Sequence, residues 1–392
     1  MKKRFFLGLA ALAALALTSC QKDLVVNQVP DETPIGFSTY LGRDAVTKAS
    51  VLDLDGLKTS GFGVFAHYTG TNTWGQPITN SDQTTSNFYT VPNFMYNQKV
   101  TGSDNTVTSG GTSTTTTTWS YSPVKYWPQN TSENISFFAY APHSSSDVAK
   151  TKLSVSGNSK EGAPEVTYNV DPYIVNHVDV LYAPAHIDKT NATGTINLKF
   201  YHACSRIGFL IQGSGDLSGA TLSNDGSTLT SGGTTVTVKE LKLIGNFYTS
   251  GTLNLGSSTV TTTGESPNIT TTQTTSWTAT TPTSEQTFEI LDNSKNLLSE
   301  HMFIIPQDFS ENNSQNNSQN NGSVTISGNY TITTSDETLS GGSTPSITNY
   351  FSGTIKQKFE NGKAYKIVLS VSPNAIKFNV VSVEGWGNEQ TV

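Results

Sequence analysis

Alternation of apolar and polar residues predicts that this chain folds almost entirely into β-strands. Side chains two positions apart lie on the same face of a strand, so a period of two indicates a strand with one buried face. Tyr365, Ile367, Leu369 and Val371 follow this period closely. The same alternation occurs at 62–68, 178–182 and 376–380. The pattern favours an all-β fold.

Departures from simple alternation add detail to this prediction. The segment 134–142 is apolar on both faces, which is typical of a strand in the middle of a sheet. The apolar residues of 195–211 fall into two sets of opposite parity, Ile196, Leu198 and Phe200 and then Ile207, Phe209 and Ile211. One flat strand cannot bury both sets on the same face. We therefore expect a β-bulge or a break near Cys204–Arg206, and helix only around 53–59.

The composition agrees with a β-fold that carries long polar insertions. Only 14% of the 392 residues are charged, against ~25% in an average soluble domain. Thr, Ser, Asn and Gly take their place, which excludes a coiled coil or a helical bundle. Polar tracts bury too little apolar area to offset the entropy cost of ordering. We expect exposed loops or insertions at 101–118, 213–235, 256–285 and 311–323.

Length and charge set the domain organisation and exclude one class of partner. A chain of 392 residues predicts two domains at roughly 100–200 residues per domain. Apolar density falls across 185–195, so we place an N-terminal domain at 35–194 and a C-terminal domain at 195–392. Each is long enough for the core of a β-sandwich. The net charge of −7 provides no basic surface for nucleic acid.

The N-terminus predicts export and a lipid anchor. Residues 1–19 contain the basic string MKKR and a short apolar run, which is typical of a cleaved signal peptide. The string Leu17-Thr18-Ser19-Cys20 resembles the lipobox of bacterial lipoproteins, in which the thiol of the cysteine carries the lipid. We expect lipidation at Cys20, a tether at 20–34 and attachment to the outer membrane at the cell surface. An ordinary secretory cleavage with an incidental cysteine is the alternative.

The motifs of common enzymes and metal sites are absent from the sequence. Cys204 has no partner for a disulfide once Cys20 is lipidated, and we expect it to be a small buried apolar residue. No zinc-ligand spacing, GxSxG or phosphate-binding loop occurs. His202 lies in an apolar stretch, where a core histidine bonded to the backbone is the expectation. We predict no catalytic residue, no cofactor and no metal.

Several sequence blocks occur in the order of one known family. They are Ile35-Gly36-Phe37, Thr47-Lys48-Ala49, Trp119-Ser120-Tyr121, Val124 to Pro128, Ile135 to Pro142, Leu198 to Ile207, Ile304 to Gln307, Tyr365 to Leu369 and Val383 to Trp386. Each block is weak by itself, but their order and spacing are specific. The chain resembles the fimbrillin family of Bacteroidales, the FimA/Mfa-like pilins.

The resemblance implies a fold and a function. Members of that family have two tandem transthyretin-like β-sandwich domains and are exported as lipoproteins. In stalk and tip pilins, a trypsin-like protease removes the first strand, and a strand from another subunit replaces it. The resemblance therefore implies a subunit or accessory lipoprotein of a type V pilus, which serves surface adhesion. Its partners would be other fimbrial subunits and a host or bacterial surface receptor.

The family pattern indicates candidate residues for this process. Cleavage positions are available at Arg43-Asp44 and at Lys48-Ala49, although the matching family position is usually Arg. Both basic residues are alternatively ordinary exposed loop residues. The candidate donor strand runs over 376–386, with apolar residues at Ile376, Phe378, Val380, Val383 and Trp386. Few residues follow Trp386, which leaves a stalk, tip or anchor role open.

Two other functions compete with this interpretation. A monomeric glycan-binding lipoprotein would use exposed aromatic residues, and Trp74 and Trp277 lie in polar segments. A lone tryptophan in a loop more often packs against its own loop. A secreted hydrolase would require dispersed acids and histidines to converge in space.

Overall fold

The computed structural model describes most of the chain after the predicted tether. The described residues are 33–41, 52–109, 111–183, 187–189, 194–256, 259–263, 270–274, 277–280, 282, 284–291, 297–298, 301–310, 322–335, 338, 344–373 and 375–383. Nearly all of the regular structure is strand, which confirms the all-β class.

The first part of the chain contains one helix and twelve strands among the described residues. The helix α1 is Leu54–Ser60. The strands are β1 Gly36–Leu41, β2 Phe62–Gly70, β3 Pro77–Thr79, β4 Thr85–Asn87, β5 Met95–Ser109, β6 Thr112–Ser120, β7 Asn134–Ala141, β8 Leu153–Val155, β9 Glu165–Asn169, β10 Leu181–Tyr182, β11 Ile187–Lys189 and β12 Thr195–His202.

The described residues after β12 form sixteen further strands. They are β13 Ser205–Gly213, β14 Thr221–Leu222, β15 Thr228–Ser231, β16 Thr234–Gly245, β17 Ser250–Asn254, β18 Thr259–Thr263, β19 Thr270–Thr274, β20 Trp277–Thr280, β21 Gln286–Glu289, β22 Met302–Ile304, β23 Gln307–Asp308, β24 Val324–Thr334, β25 Ser346–Ile355, β26 Lys358–Phe359, β27 Ala364–Ser372 and β28 Ala375–Val383. Short 3₁₀ turns lie at Ile174–Asn176 and Gly215–Leu217.

An eight-stranded sheet dominates the first part of the molecule. Its order is β1-β12-β10-β7-β2-β5-β6, with β11 also paired to β7. Seven of the eight residues of β7 are buried, so both of its faces are covered. This confirms the prediction that 134–142 forms a central strand. Asp53 caps the adjoining helix α1 by accepting a hydrogen bond from the amide of Gly56, close to the predicted helical position.

This sheet curls until its two ends meet. The amide of Ile35 donates to the carbonyl of Lys125 at 2.8 Å, and the amide of Trp127 donates to the carbonyl of Thr33 at 3.0 Å. The hydroxyl of Tyr121 also donates to the carbonyl of Ile35, at 2.7 Å. The concave side encloses an apolar core of Ile35, Phe37, Leu57, Phe62, Val64, Ala66, Met95, Val100, Trp127, Ile135, Phe137, Ala139, Ala141, Leu181, Ala183, Ile196, Leu198 and Phe200.

A second core joins the two halves of the chain. The four-stranded sheet β20-β17-β9-β8 combines strands from both sides of the predicted domain boundary at 194/195. Its apolar residues Val166, Tyr168 and Leu253 share a cluster with Phe138 and Tyr182 of the large sheet. Strand β12 was expected to open the second domain, but it pairs with β1 and β10. Ile196, Leu198 and Phe200 of β12 fill the first core, and this burial places the strand in the first sheet.

A sandwich fills the last part of the molecule. The sheet β22-β13-β27-β28 faces the sheet β14-β15-β16-β24-β25, in which β16 also pairs with β21. Ile207, Phe209 and Ile211 of β13 lie in the core between them. The extended strand is interrupted at Ala203 and Cys204, between β12 and β13, which confirms the predicted break.

The polar tracts are exposed, but they are not simply loops. The tract 101–118 forms most of the hairpin β5–β6, whose far end is solvent-exposed on both strands. Threonine is β-branched and suits an extended backbone, and cross-strand bonds such as Thr106 to Thr115 at 2.9 Å add to the ladder. Parts of 213–235 and 256–285 likewise form strands. Most of 311–323 lies outside the described residues.

We predict that Gly63→Ala destabilises the fold by about 1–3 kcal/mol, a typical cost of overpacking. A Cβ atom at Gly63 would lie 2.2 Å from the ring of Tyr140, which is fully buried. Urea unfolding followed by tryptophan fluorescence measures the change. The matched control is Gly157→Ala, since a Cβ there meets nothing within 4 Å. Equal stability of the two variants would contradict this packing.

We also predict that the fold loses stability in mild acid. Burial lowers the pKa of His177 to about 4, from an ordinary value of 6.5. Between these two pH values the unfolded chain binds a proton that the native state does not, so the free energy of unfolding falls as pH falls. Between pH 7 and 4.5 the loss amounts to about 2 kcal/mol for a shift of this size. Unfolding titrations at pH 7 and 4.5 measure it, and His177→Gln should reduce the difference.

Candidate functional site

Strand β1 is the first candidate for a functional element, because it lies at the end of a sheet and carries buried apolar residues. It pairs with β12 in parallel, from Gly36 opposite Thr195 to Leu41 opposite Phe200. Alternate side chains face the core: Phe37 is only 6% exposed, and Ile35, just before the strand, is only 1% exposed. On one side, all six residues of the strand pair with β12. On the other side, backbone hydrogen bonds join residues 33–35, just before the strand, to residues 125–127.

Phe37 occupies an aromatic pocket. Its ring makes edge contacts with Tyr121 at 5.3 Å between ring centroids, and with Phe62 and Phe137 at 6.2 Å each. Ile196 and Leu198 of β12 belong to the same core. Removal of β1 would therefore leave an apolar groove beside the unpaired edge of β12. Such a groove accepts an extended segment, which supplies both backbone hydrogen bonds and alternating side chains.

One inward position of β1 is a poor fit to this core. The hydroxyl oxygen of Thr39 is buried and has no hydrogen-bond partner among the described residues. A buried hydroxyl without a partner costs roughly 1–3 kcal/mol. The outward neighbour Ser38 is satisfied, since its hydroxyl bonds to the side chain of Asn197 on β12. The segment 35–39 thus combines two well-packed side chains with one unfavourable position.

The predicted cleavage residues lie in the segment that follows β1. Arg43, Asp44, Lys48 and Ala49 are all outside the described residues, as is the predicted lipid site Cys20. The described chain resumes at Leu52. In the sequence, β1 ends two residues before Arg43.

A buried carboxylate holds the backbone at Leu52. Asp179 accepts the amide of Leu52 at 3.0 Å, and its other oxygen lies 2.8 Å from Nδ1 of His202 on β12. The side chains of Asp179 and His202 are 2% and 12% exposed. His202 was expected to bond to the backbone, but this ring nitrogen contacts a carboxylate. The pair fixes Leu52 next to the strand from which β1 would separate.

Most of the segment expected to act as a donor lies in β28, which pairs antiparallel with β27. Ile376, Phe378 and Val380 are only partly buried, and they pack against the core of the last sandwich. The Phe378 ring lies over Gly353 of β25, and 5.8 Å from the ring of Phe351. Val383 is the last described residue of the strand, and Trp386 lies outside the described residues.

The aromatic residues considered for glycan binding do not form an exposed platform. Trp74 is 4% exposed and packs against His67, Tyr89 and Phe138. Trp277 is partly buried, and its ring nitrogen donates to the carbonyl of Ala203 at 2.8 Å. Both therefore serve packing, in agreement with the expectation for a lone tryptophan.

The remaining candidate groups do not indicate catalysis. Cys204 is fully buried, as predicted, and burial raises the pKa of its thiol well above the ordinary value. A cleft of about 970 Å³ lies beside Leu52, lined by Asp53, Asp147, Val175 and Asp179 among others. In the part of the chain that the structure describes, no three His, Cys, Asp or Glu side chains form a group suited to a metal ion. The described residues also contain no helix that is long and apolar enough to cross a membrane.

We predict that Phe37→Ala destabilises the uncleaved protein by about 3–5 kcal/mol, the usual cost of deleting a buried phenylalanine side chain. The variant leaves an empty aromatic pocket under β1. Chemical unfolding measures the loss. Tyr173→Ala is the control, because that aromatic side chain is 65% exposed and its removal should change stability by less than about 0.5 kcal/mol. Similar values for both variants would show that β1 is not part of the cooperative fold.

Comparisons with known proteins identify relatives of this chain. A family model described as fimbrillin-like matches residues 78–386. The fimbrium subunit Fim1C of Phocaeicola vulgatus is 30% identical over 210 residues, which cover 51% of this chain and 49% of the relative. The match thus spans about half the length of that curated relative.

A solved structure shows the same fold. The crystal structure of a fimbrial protein from Bacteroides vulgatus ATCC 8482 superimposes with a TM-score of 0.54, at 23% identity, over 90% of this chain and 99% of that chain. The matched family region runs from strand β3 to beyond β28 and so includes most of the strands of the sheets described above. On this evidence, the chain belongs to the fimbrillin-like family.

Proposed function

We propose that this protein is a fimbrial subunit or fimbrial accessory lipoprotein that assembles by proteolysis-triggered donor-strand exchange and serves surface adhesion. The observation that carries the proposal is the position of β1. This strand closes an apolar core, and it directly precedes the segment with Arg43 and Lys48. The known relatives are fimbrial proteins rather than enzymes, and no catalytic activity is proposed.

Cleavage after β1 would remove its covalent connection to the body of the protein but leave its noncovalent contacts unchanged. In the intact chain, a β1 strand that opens remains tethered on both sides and closes again. After a cut at Arg43 or Lys48, only noncovalent contacts hold it to the body of the protein. Burial of Ile35 and of Phe37 contributes about 1.5–3 kcal/mol each. A strand that offers the same contacts can therefore replace β1 once it has opened.

The same cut separates the body of the protein from its anchor. Cys20 and the tether at 20–34 lie on the N-terminal side of both cleavage positions. We propose that the lipid holds the uncleaved protein on the outer membrane, where several acyl chains give stable attachment. Cleaved subunits would remain together only through strands that they receive or donate. An uncleaved copy would remain as an anchor.

Strand β28 is the proposed donor. It has a hydrogen-bonded neighbour on one side only among the described strands. Its apolar residues alternate, as insertion into a groove requires. The resulting assembly would dissociate slowly, because the inserted strand must lose a whole ladder and its pockets together.

The structure weakens the case for a monomeric glycan-binding protein. That function was based on exposed tryptophans, but Trp74 is buried and Trp277 is bonded to the backbone. Adhesion to a surface receptor remains part of the proposal through the fimbrial relatives, with no receptor class assigned.

The test uses lipid-free protein that begins at Gln21. Treatment with a trypsin-like protease should produce a ladder of oligomers on electrophoresis without boiling, and N-terminal sequencing should give a start at Asp44 or Ala49. The variant with Arg43→Ala and Lys48→Ala together is the control and should remain monomeric and uncut in this segment. A wild-type protein that is cut there, loses β1 and stays monomeric would contradict the proposal.

A further inference from the structure

The segment around β1, which would leave the groove, and the strand β28, which would enter it, share a sequence pattern. Core-facing residues of the first are Ile35, Phe37 and Thr39, and apolar residues of β28 follow the same spacing at Ile376, Phe378 and Val380. The first two residue types are identical and in the same order. The third replaces threonine by valine, which has almost the same shape but no hydroxyl. This match specifies a register for the exchange proposed above.

The burial of these residues favours transfer to the groove. Ile35 and Phe37 are 1% and 6% exposed in the first core. Ile376 and Phe378 are only partly buried at the edge of their own sandwich. The same apolar groups would therefore lose more contact with water in the groove than they do in their present place.

The third position favours the incoming strand. Thr39 leaves a buried hydroxyl without a partner among the described residues. Valine at this place would bury a methyl group instead and remove the cost of the unpaired hydroxyl. Thr39 is thus a weak point of β1, and Val380 corrects it.

Contacts outside the apolar face are also compatible. In the present structure Ser38 bonds to the side chain of Asn197. In the matched register Asn379 would lie at this place, and its amide can pair with the amide of Asn197. The bonds of 33–35 to 125–127 involve backbone atoms alone, so an entering segment with another sequence can form them. At the outer end, Ser382 would replace the partly buried Leu41.

We propose that β28 of a second copy of this chain enters the groove parallel to β12, with Phe378 opposite Ile196 and Val380 opposite Leu198. This register rests on the proposed function and adds the orientation and the position of every residue. The reverse orientation would also put Phe378 in the aromatic pocket. It would, however, place Val380 in the site of Ile35 and Ile376 in that of Thr39, which leaves a void at one site and overfills the other.

Disulfide trapping tests the register. Cleaved acceptor protein with Asn197→Cys is mixed with cleaved donor protein that carries either Asn379→Cys or Lys377→Cys, and oxidised glutathione is added. Both proteins begin at Gln21 before cleavage, so Cys20 is absent, and Cys204 is fully buried. The parallel register puts position 379 opposite position 197, whereas the reverse orientation puts position 377 there. Unmodified cleaved protein under the same oxidation is the control.

The outcomes separate the register from the function. A crosslinked dimer with Asn379→Cys, and at least tenfold less with Lys377→Cys, supports the proposal. Oligomers that crosslink through Lys377→Cys, or through neither variant, overturn the register and leave donor-strand exchange standing. Cleaved wild-type protein that forms no oligomer contradicts the proposed function itself, and the register with it.

The weak point at Thr39 gives a second test. Thr39→Val should hold β1 more firmly, so cleaved protein should form oligomers about fivefold or more slowly, as expected for at least 1 kcal/mol of added stability. Thr116→Val is the matched control on the exposed strand β6 and should leave the rate unchanged. Equal rates for Thr39→Val and wild type would contradict the role assigned to the unpaired hydroxyl.

Discussion

The burial of Ile35 and Phe37 is the interaction on which the first core depends. Phe37 belongs to a strand of six residues that closes a sheet of eight, and Ile35 lies immediately before that strand. The ring of Phe37 fills a pocket formed by the aromatic rings of Phe62, Tyr121 and Phe137. An extended segment in this groove keeps the apolar pocket filled. It also provides hydrogen-bond partners for the backbone N–H and C=O groups of β12.

A second set of contacts joins parts of the molecule outside that strand. Asp179 holds Leu52 and His202, and His177 accepts the amide of Phe303 from the later part of the chain. The sheet β20-β17-β9-β8 joins both halves through backbone bonds. These contacts lie outside β1, so its loss would open a groove without separating the two halves.

Local pattern in the sequence predicted much of the fold. The all-β class, the central strand at 134–142, the break before β13 and the short helix all depend on neighbouring residues, whose period or parity is visible in the sequence. The structure of the polar tract 101–118 was harder to predict, because threonine is polar, as loop residues are, and also β-branched, which favours a strand. Cross-strand pairing decides between them, and it becomes visible only when both strands are placed.

Sequence alone determined which segments are apolar and to which family the ordered blocks point. Tertiary structure alone decided which partners these segments take, because strand pairing joins residues far apart in the chain. It put β12 beside β1 rather than in a second domain, buried Trp74, and paired His202 with Asp179. Among the described residues it also left the hydroxyl of Thr39 without a partner, and the free-energy cost of such a group depends on what surrounds it and not on the residue type.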